Sequence, residues 1–414
     1  MTVRTETTPS ATTAATPAAP AADDRLARRN ALVLAAAQAI GGSTATITFA
    51  TAGLAGVYLM PERPALATAP ISAFVIGMAC GTVPAAMLMG RFGRRTGFLI
   101  GALTAMAGGL GGMMALFQAS FGLFVVATFV SGVSQAFVQQ YRFAAADTAS
   151  DRFKPKAVSW VMAGGILAGV VGPQAVIATM DLFDPILFAG PYAAQAGLAT
   201  LSCLVLAFLR APPPRTAAPR RARGFRTLLG ERRLRIAVVC GVVSYSLMTL
   251  VMTAAPLAMV ACGLSQTEAT LGIQWHVLAM YGPSFFTGGL IARYGAERIV
   301  GVGLVLLALC GVVALMGLDL AHFWTALILL GLGWNFGFIG ATSMLVALAR
   351  PEERAEVQAA NDLLVFGTVA VASLASGQLL DGAGWAAVNA VMIAIVVVCA
   401  GLLARAVLTA RRAA

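Results

Sequence analysis

The chain has 414 residues, of which 59% are hydrophobic and 11% charged, with a mean hydropathy of +0.84. Soluble domains carry about a quarter of their residues as charges, so a water-soluble fold is excluded and the chain belongs in lipid. The formal net charge of +11 needs no nucleic-acid partner, because the basic residues fall at the ends of apolar stretches.

Residues 1–30 read as a disordered cytoplasmic tail. Residues 1–24 are rich in Thr, Ala and Pro and have neither the basic start nor the apolar core of a cleavable signal peptide. From residue 31 onward, apolar stretches recur at the roughly 20 residues needed to cross a hydrocarbon core. A bilayer admits only helices or closed barrels, and these runs are continuous rather than alternating, so each predicts a helix. The predicted spans are 31–60, 66–89, 96–117, 120–142, 157–180, 186–210, 234–262, 269–292, 298–317, 321–349, 355–380 and 385–409, twelve in all. The expected fold is therefore an all-α integral membrane protein. One connection is long: APPPRTAAPRRARGFRTLLGERR at 211–233, a basic cytoplasmic linker between six-helix bundles at 31–210 and 234–414.

With the N-terminus in the cytoplasm, 27 of the 28 Lys and Arg residues fall in cytoplasmic segments and Arg63 alone lies outside, as the positive-inside rule requires. Both termini are then cytoplasmic, and the expected setting is a bacterial inner membrane with the lipid bilayer as a partner and a monomer as the working unit. All six cysteines lie in predicted spans without paired-loop spacing, so no disulfide framework is expected. No P-loop, GxSxG or HExxH is present, and an enzyme is not expected.

The two halves repeat a turn. GRFG at 90–93 follows the second span, and ARYG at 292–295 follows the eighth. Twelve helices, a basic central loop and a Gly/Arg turn after the second helix of each half resemble the major facilitator superfamily. The resemblance implies two pseudo-symmetric six-helix bundles rocking about a midplane site. It also makes Arg91, Arg94, Arg95 and Arg293 candidate gate residues, although the acid that the family places before the basic residue is absent from both turns. GGILAGVVGP at 164–173 resembles the family's glycine-rich fifth helix, whose small residues permit close helix contact.

The seventh and eighth spans carry a soft-ligand pattern. MTLVM (248–252) and HVLAM (276–280) place Met248 with Met252, and His276 with Met280, one turn apart near mid-membrane. Thioether and imidazole suit Cu(I) and bind it without burying charge; the plain readings are core packing for the methionines and a helix-to-helix hydrogen bond for the histidine. These motifs resemble those of the CcoA-type copper importers, a branch of the superfamily. That resemblance implies copper uptake feeding cytochrome c oxidase assembly, roles for Cys240 and Cys262, and a cytoplasmic copper chaperone or exporter as partner. Copper is then cargo, and no permanently bound cofactor is expected. Met259 extends the methionine stripe outward, giving a path of soft ligands.

The alternative is a major facilitator exporter of a small neutral or anionic organic solute. Gln38, Gln135, Gln139, Gln140, Tyr245, Trp334 and Asn335 are the residues available to line a polar cavity for it. The acids sit near span ends, Asp147 and Asp362 among them, which argues against a proton-driven exporter of cationic drugs.

Overall fold

The computed structural model describes residues 24–150, 152–210, 230–350 and 354–413. Helices account for nearly all of them. In the first half they are α1 (Asp24–Gly41), α2 (Ser43–Leu59), α3 (Ala69–Phe92), α4 (Arg94–Phe117), α5 (Phe121–Val138), α6 (Tyr141–Asp147), α7 (Lys154–Thr179) and α8 (Ala189–Leu206). The second half holds α9 (Arg232–Ala261), α10 (Gln266–Tyr281), α11 (Ser284–Tyr294), α12 (Ala296–Met316), α13 (Leu320–Trp334), a π-helix (Asn335–Ile339), α14 (Gly340–Leu348) and α15 (Arg354–Ala413).

Among the described residues, ten helical stretches are long and apolar enough to cross a membrane. One of these, within α15, turns back on itself at Gly384 (φ 77°, ψ 177°) and crosses twice; this backbone conformation is open to glycine and strained for other residues. A further crossing is made jointly by α10 and α11, each too short alone. Twelve crossings result, as expected, but several are broken. Proline at 283 lacks the amide hydrogen and breaks the eighth span between α10 and α11. Helix α1 already includes Asp24, ahead of the expected 31, and the Asp24 carboxylate accepts hydrogen bonds from the Ser150 amide and hydroxyl. Residues 1–23 of the predicted tail and 211–229 of the predicted linker lie outside the described residues.

The internal repeat is real in three dimensions. Gly93 (φ 84°, ψ 162°) joins α3 to α4, and Gly295 (φ 87°, ψ 146°) joins α11 to α12 in nearly the same backbone conformation. The glycine-rich α7 packs as its small residues require. A Cβ at Gly164 would strike the Ala35 carbonyl of α1 and one at Gly172 the Thr46 hydroxyl of α2, so larger residues at either position would push the first and fifth crossings apart.

The arginine-bearing turns, the start of α1 and the end of α15 gather at one end of the bundle, the basic end; the opposite end is the far end. Contacts between the halves are made by α2 with α9 and α10, α3 with α15, and α7 with α10. At the basic end, α1, α6, α11 and α14 make their main contacts within their own half. The bundle is closed at the far end and parted at the basic end.

Candidate functional site

A cavity of about 100 Å³ lies between the halves near mid-depth. Its first-half wall presents the amides of Gln38 from α1 and Gln135 and Gln139 from the end of α5, with Phe49 and Phe74 above them toward the far end. Gln135 Nε2 donates 3.0 Å to the Gly41 carbonyl, at the break between α1 and α2, which fixes that side chain and leaves its own oxygen available. Gln38 and Gln139 make no side-chain hydrogen bond among the described residues. The second-half wall presents Met248 and Met252 from α9 and Met280 from α10, with Tyr245 and Tyr281 on the side toward the basic end.

Local structure explains how Tyr245 and Tyr281 are held. Tyr245 stands edge-on to Trp334 at 5.4 Å and to Phe338 at 5.0 Å between ring centroids, while Trp334 and Phe338 stack at 5.3 Å. Both of these rings come from the turn that includes the π-helix, a geometry frequent at functional sites. Asn335, in that same turn, is fully buried. Its Nδ2 donates to the Met280 carbonyl at 2.7 Å and to Ser284 Oγ at 2.8 Å, and its Oδ1 accepts from the Thr287 hydroxyl at 2.6 Å. It thereby satisfies the carbonyl freed where Gly282 and Pro283 break the helix, a group that would otherwise be orphaned in lipid. Trp334 and Asn335 therefore stand behind the cavity wall rather than on it, in contrast to the expectation that they line it.

Below the cavity, toward the basic end, Arg142 of α6 lies within electrostatic reach of Tyr245, Tyr281 and Asp362. The Asp362 carboxylate accepts from Gln358 Nε2 at 2.7 Å and from Asn361 Nδ2 at 3.4 Å on its own helix. At the Gly93 turn, Arg94 Nε bonds Asp147 Oδ2 at 3.0 Å, so the acid missing from the turn is supplied by α6. The Arg91 and Arg293 guanidinium groups lie over the rings of Phe92 and Tyr294, and Arg95 is exposed.

The structure brings together some of the soft-ligand residues and separates others. Met248, Met252 and Met280 share the cavity wall. His276 does not face it: the ring is 0% exposed, and Nδ1 donates to the Leu327 carbonyl of α13 at 2.9 Å. Met259 is buried against Gly272 of α10. Cys262 is exposed in a wider depression of about 900 Å³ at the far end. Cys240 is buried between α9 and α15 with its Sγ 3.8 Å from that of Cys399, a pairing that no sequence spacing announces. Tyr281, Phe49 and Phe74 are cavity residues that sequence reasoning missed; the one signal available was the position of Tyr281 directly before the Gly282-Pro283 break.

The sequence matches the Major Facilitator Superfamily over residues 39–273 and 237–414. It is 48% identical over 377 residues to the riboflavin transporter RfnT of Brucella anthropi, covering 90% of this chain and 94% of that one. It is 29% identical to the uncharacterized MFS-type transporter YdeG of Bacillus subtilis, over 88% of each chain. Among solved structures, the fold is similar to the nucleoside transporter NupG (TM-score 0.66, 14% identity, 92% of this chain and 98% of that one). It is also similar to a D-xylose-proton symporter (TM-score 0.69, 14% identity, 89% and 96%). The expectation of copper import is overturned by the relative sharing 48% of its residues, whose cargo is an organic molecule; four-residue motifs of Met and His in apolar helices are too short to outweigh agreement over nearly the whole chain. On its fold, its repeated turn and its match to the family over both halves, the chain belongs to the Major Facilitator Superfamily.

Proposed function

We propose that this protein carries riboflavin, or a closely related neutral heterocyclic solute, across a bacterial cytoplasmic membrane by alternating access. The observation that carries the reading is the 48% identity to a riboflavin transporter over 90% of the chain. The cavity is consistent with it: amides, tyrosines and thioethers surround a space between the halves, and no carboxylate is among its lining residues, as a neutral planar solute requires. The distribution of 27 of the 28 basic residues puts the basic end in the cytoplasm, so the conformation described is inward-facing.

Sites for drug-sized ligands run to about 300–1,000 Å³, more than the cavity of about 100 Å³ seen with its side chains at rest. Met248, Met252 and Met280 are unbranched and adaptable, and their rotation supplies the extra room. The test is accumulation of radiolabelled riboflavin over minutes in bacteria that neither synthesise nor import it. Expression of this chain is expected to restore uptake and growth on micromolar riboflavin; loading the same cells and following release sets the direction of transport. Uptake no higher than in cells carrying the empty vector would sink the reading.

A further inference from the structure

The cavity is chemically two-faced. Its amides all come from the first half, from α1 and the end of α5. Across from them, Met248, Met252 and Met280 form an apolar, deformable stretch of the second-half wall, flanked on the side toward the basic end by Tyr245 and Tyr281, and Phe49 and Phe74 roof the cavity toward the far end. Gln135 is tied to the Gly41 carbonyl, while Gln38 and Gln139 keep complete amide groups facing the space. Gln139 is exposed there, in the turn that leads from α5 into α6 and Arg142.

A primary amide carries one acceptor and a donor pair in a single plane. That set is complementary to an imide edge, in which an N–H lies between two carbonyls, and the two form a pair of parallel hydrogen bonds. Thioethers and phenyl rings have nothing to offer such an edge, but they suit a methylated aromatic edge. A fused heterocycle with an imide at one end and a dimethylated benzene ring at the other matches both faces of this cavity in one orientation.

We propose that Gln38 and Gln139 read the imide edge of the substrate while the Met248, Met252 and Met280 wall holds its apolar ring, so that the protein selects fused heterocyclic imides rather than flavins through their sugar-like chain. The inference rests on the flavin-carrier reading and adds the orientation of the bound ring and the groups that recognise it. A site that hydrogen-bonds a substrate group rejects analogues lacking that group, because its own polar atoms are left unpaired.

The experiment uses purified full-length protein in detergent or nanodiscs and follows quenching of flavin fluorescence on binding. Wild type is titrated with riboflavin and with its N3-methyl derivative, which has lost the imide donor. The expected result is at least a roughly tenfold weaker affinity for the N3-methyl compound, the size of one lost buried hydrogen bond. In Gln139→Leu or Gln38→Leu that difference should shrink to less than about twofold, because the discriminating amide is gone. In Ser159→Ala, at an exposed position of α7 outside the cavity, the discrimination should persist. The ligand comparison in wild type involves no folding change. If wild type binds both compounds equally, imide reading is overturned and riboflavin transport still stands. Should wild type bind neither, while counterflow in vesicles is also absent, the carrier reading falls and the inference falls with it.

Discussion

At the far end, the halves meet through neutral groups. Ser72 donates to Ser373 at 2.9 Å between α3 and α15, and Gln174 donates to Gln274 at 2.9 Å between α7 and α10. At the basic end, the ion pairs Arg94–Asp147 and Arg233–Glu297 each join elements of one half. Neutral hydrogen bonds between membrane helices contribute only about 0.6 kcal/mol on average, so a seam built from them opens without stranding a charge in lipid. These two ion pairs instead brace each half by itself, and Arg142 of α6 reaches across toward Asp362 of α15 without a direct ion pair among the described residues. Rocking between two states requires interfaces of this modest strength, since a gap of a few kcal/mol is what a substrate can bias.

The comparison can be broken most severely at Gly169, where a Cβ would lie 2.7 Å from Val277 Cγ1 across the α7–α10 contact. Gly169→Leu should pry the far end open and abolish transport, with an overpacking penalty of about 1–3 kcal/mol. A cysteine introduced as Ser373→Cys should then react much faster with a membrane-impermeant maleimide; an unchanged rate would show that the far end does not hinge on this contact. Removing the second neutral bond with Gln174→Leu, in the same Ser373→Cys background, should raise labelling about threefold, the equivalent of about 0.6 kcal/mol.

Arg94→Gln tests the other end. The pair is partly exposed, with side-chain accessibilities of 26% and 36%, so its loss should lower stability by no more than about 0.5 kcal/mol. Far-end labelling should stay as in wild type, and a large shift would mean that the pair reports on the gap between the halves after all. The smallest effect belongs to Glu268 in the capping box that starts α10 at the far end. There the Ser265 backbone amide and hydroxyl hold the Glu268 carboxyl below its ordinary range. A carboxyl lowered in the folded state stabilises above its unfolded pKa and loses that contribution as pH falls through the folded value. Thermal unfolding of wild type should therefore lose a slight margin below the ordinary carboxylate range, and Glu268→Gln should lack that margin at every pH.

Much of the fold was legible in the residues. Apolar run length marked the crossings, arginines marked the basic turns, and GRFG and ARYG announced a repeat that Gly93 and Gly295 confirm with matching backbone angles. The site was legible only in part. Of the residues that polarity inside apolar spans singles out, Gln38, Gln135, Gln139 and Tyr245 line the cavity while Gln140, Trp334 and Asn335 do not, and His276, one turn from Met280, is turned toward α13. Spacing shows which residues share a helix face, but not which way that face points. In a soluble helix, hydrophobic periodicity supplies the missing direction; in lipid, nearly every face is apolar and the clue disappears.

Composition, run length and the placement of charge thus settled that this chain spans a membrane twelve times in two related halves, because each of those properties answers to the bilayer one segment at a time. Helix packing settled the rest: that Met248, Met252 and Met280 meet Gln38 and Gln139 across one space, that Asn335 mends the break at Pro283, and that Cys240 finds Cys399. These are relations between segments far apart in the chain. They exist only once close-packed helices have fixed how each one is rotated about its own axis.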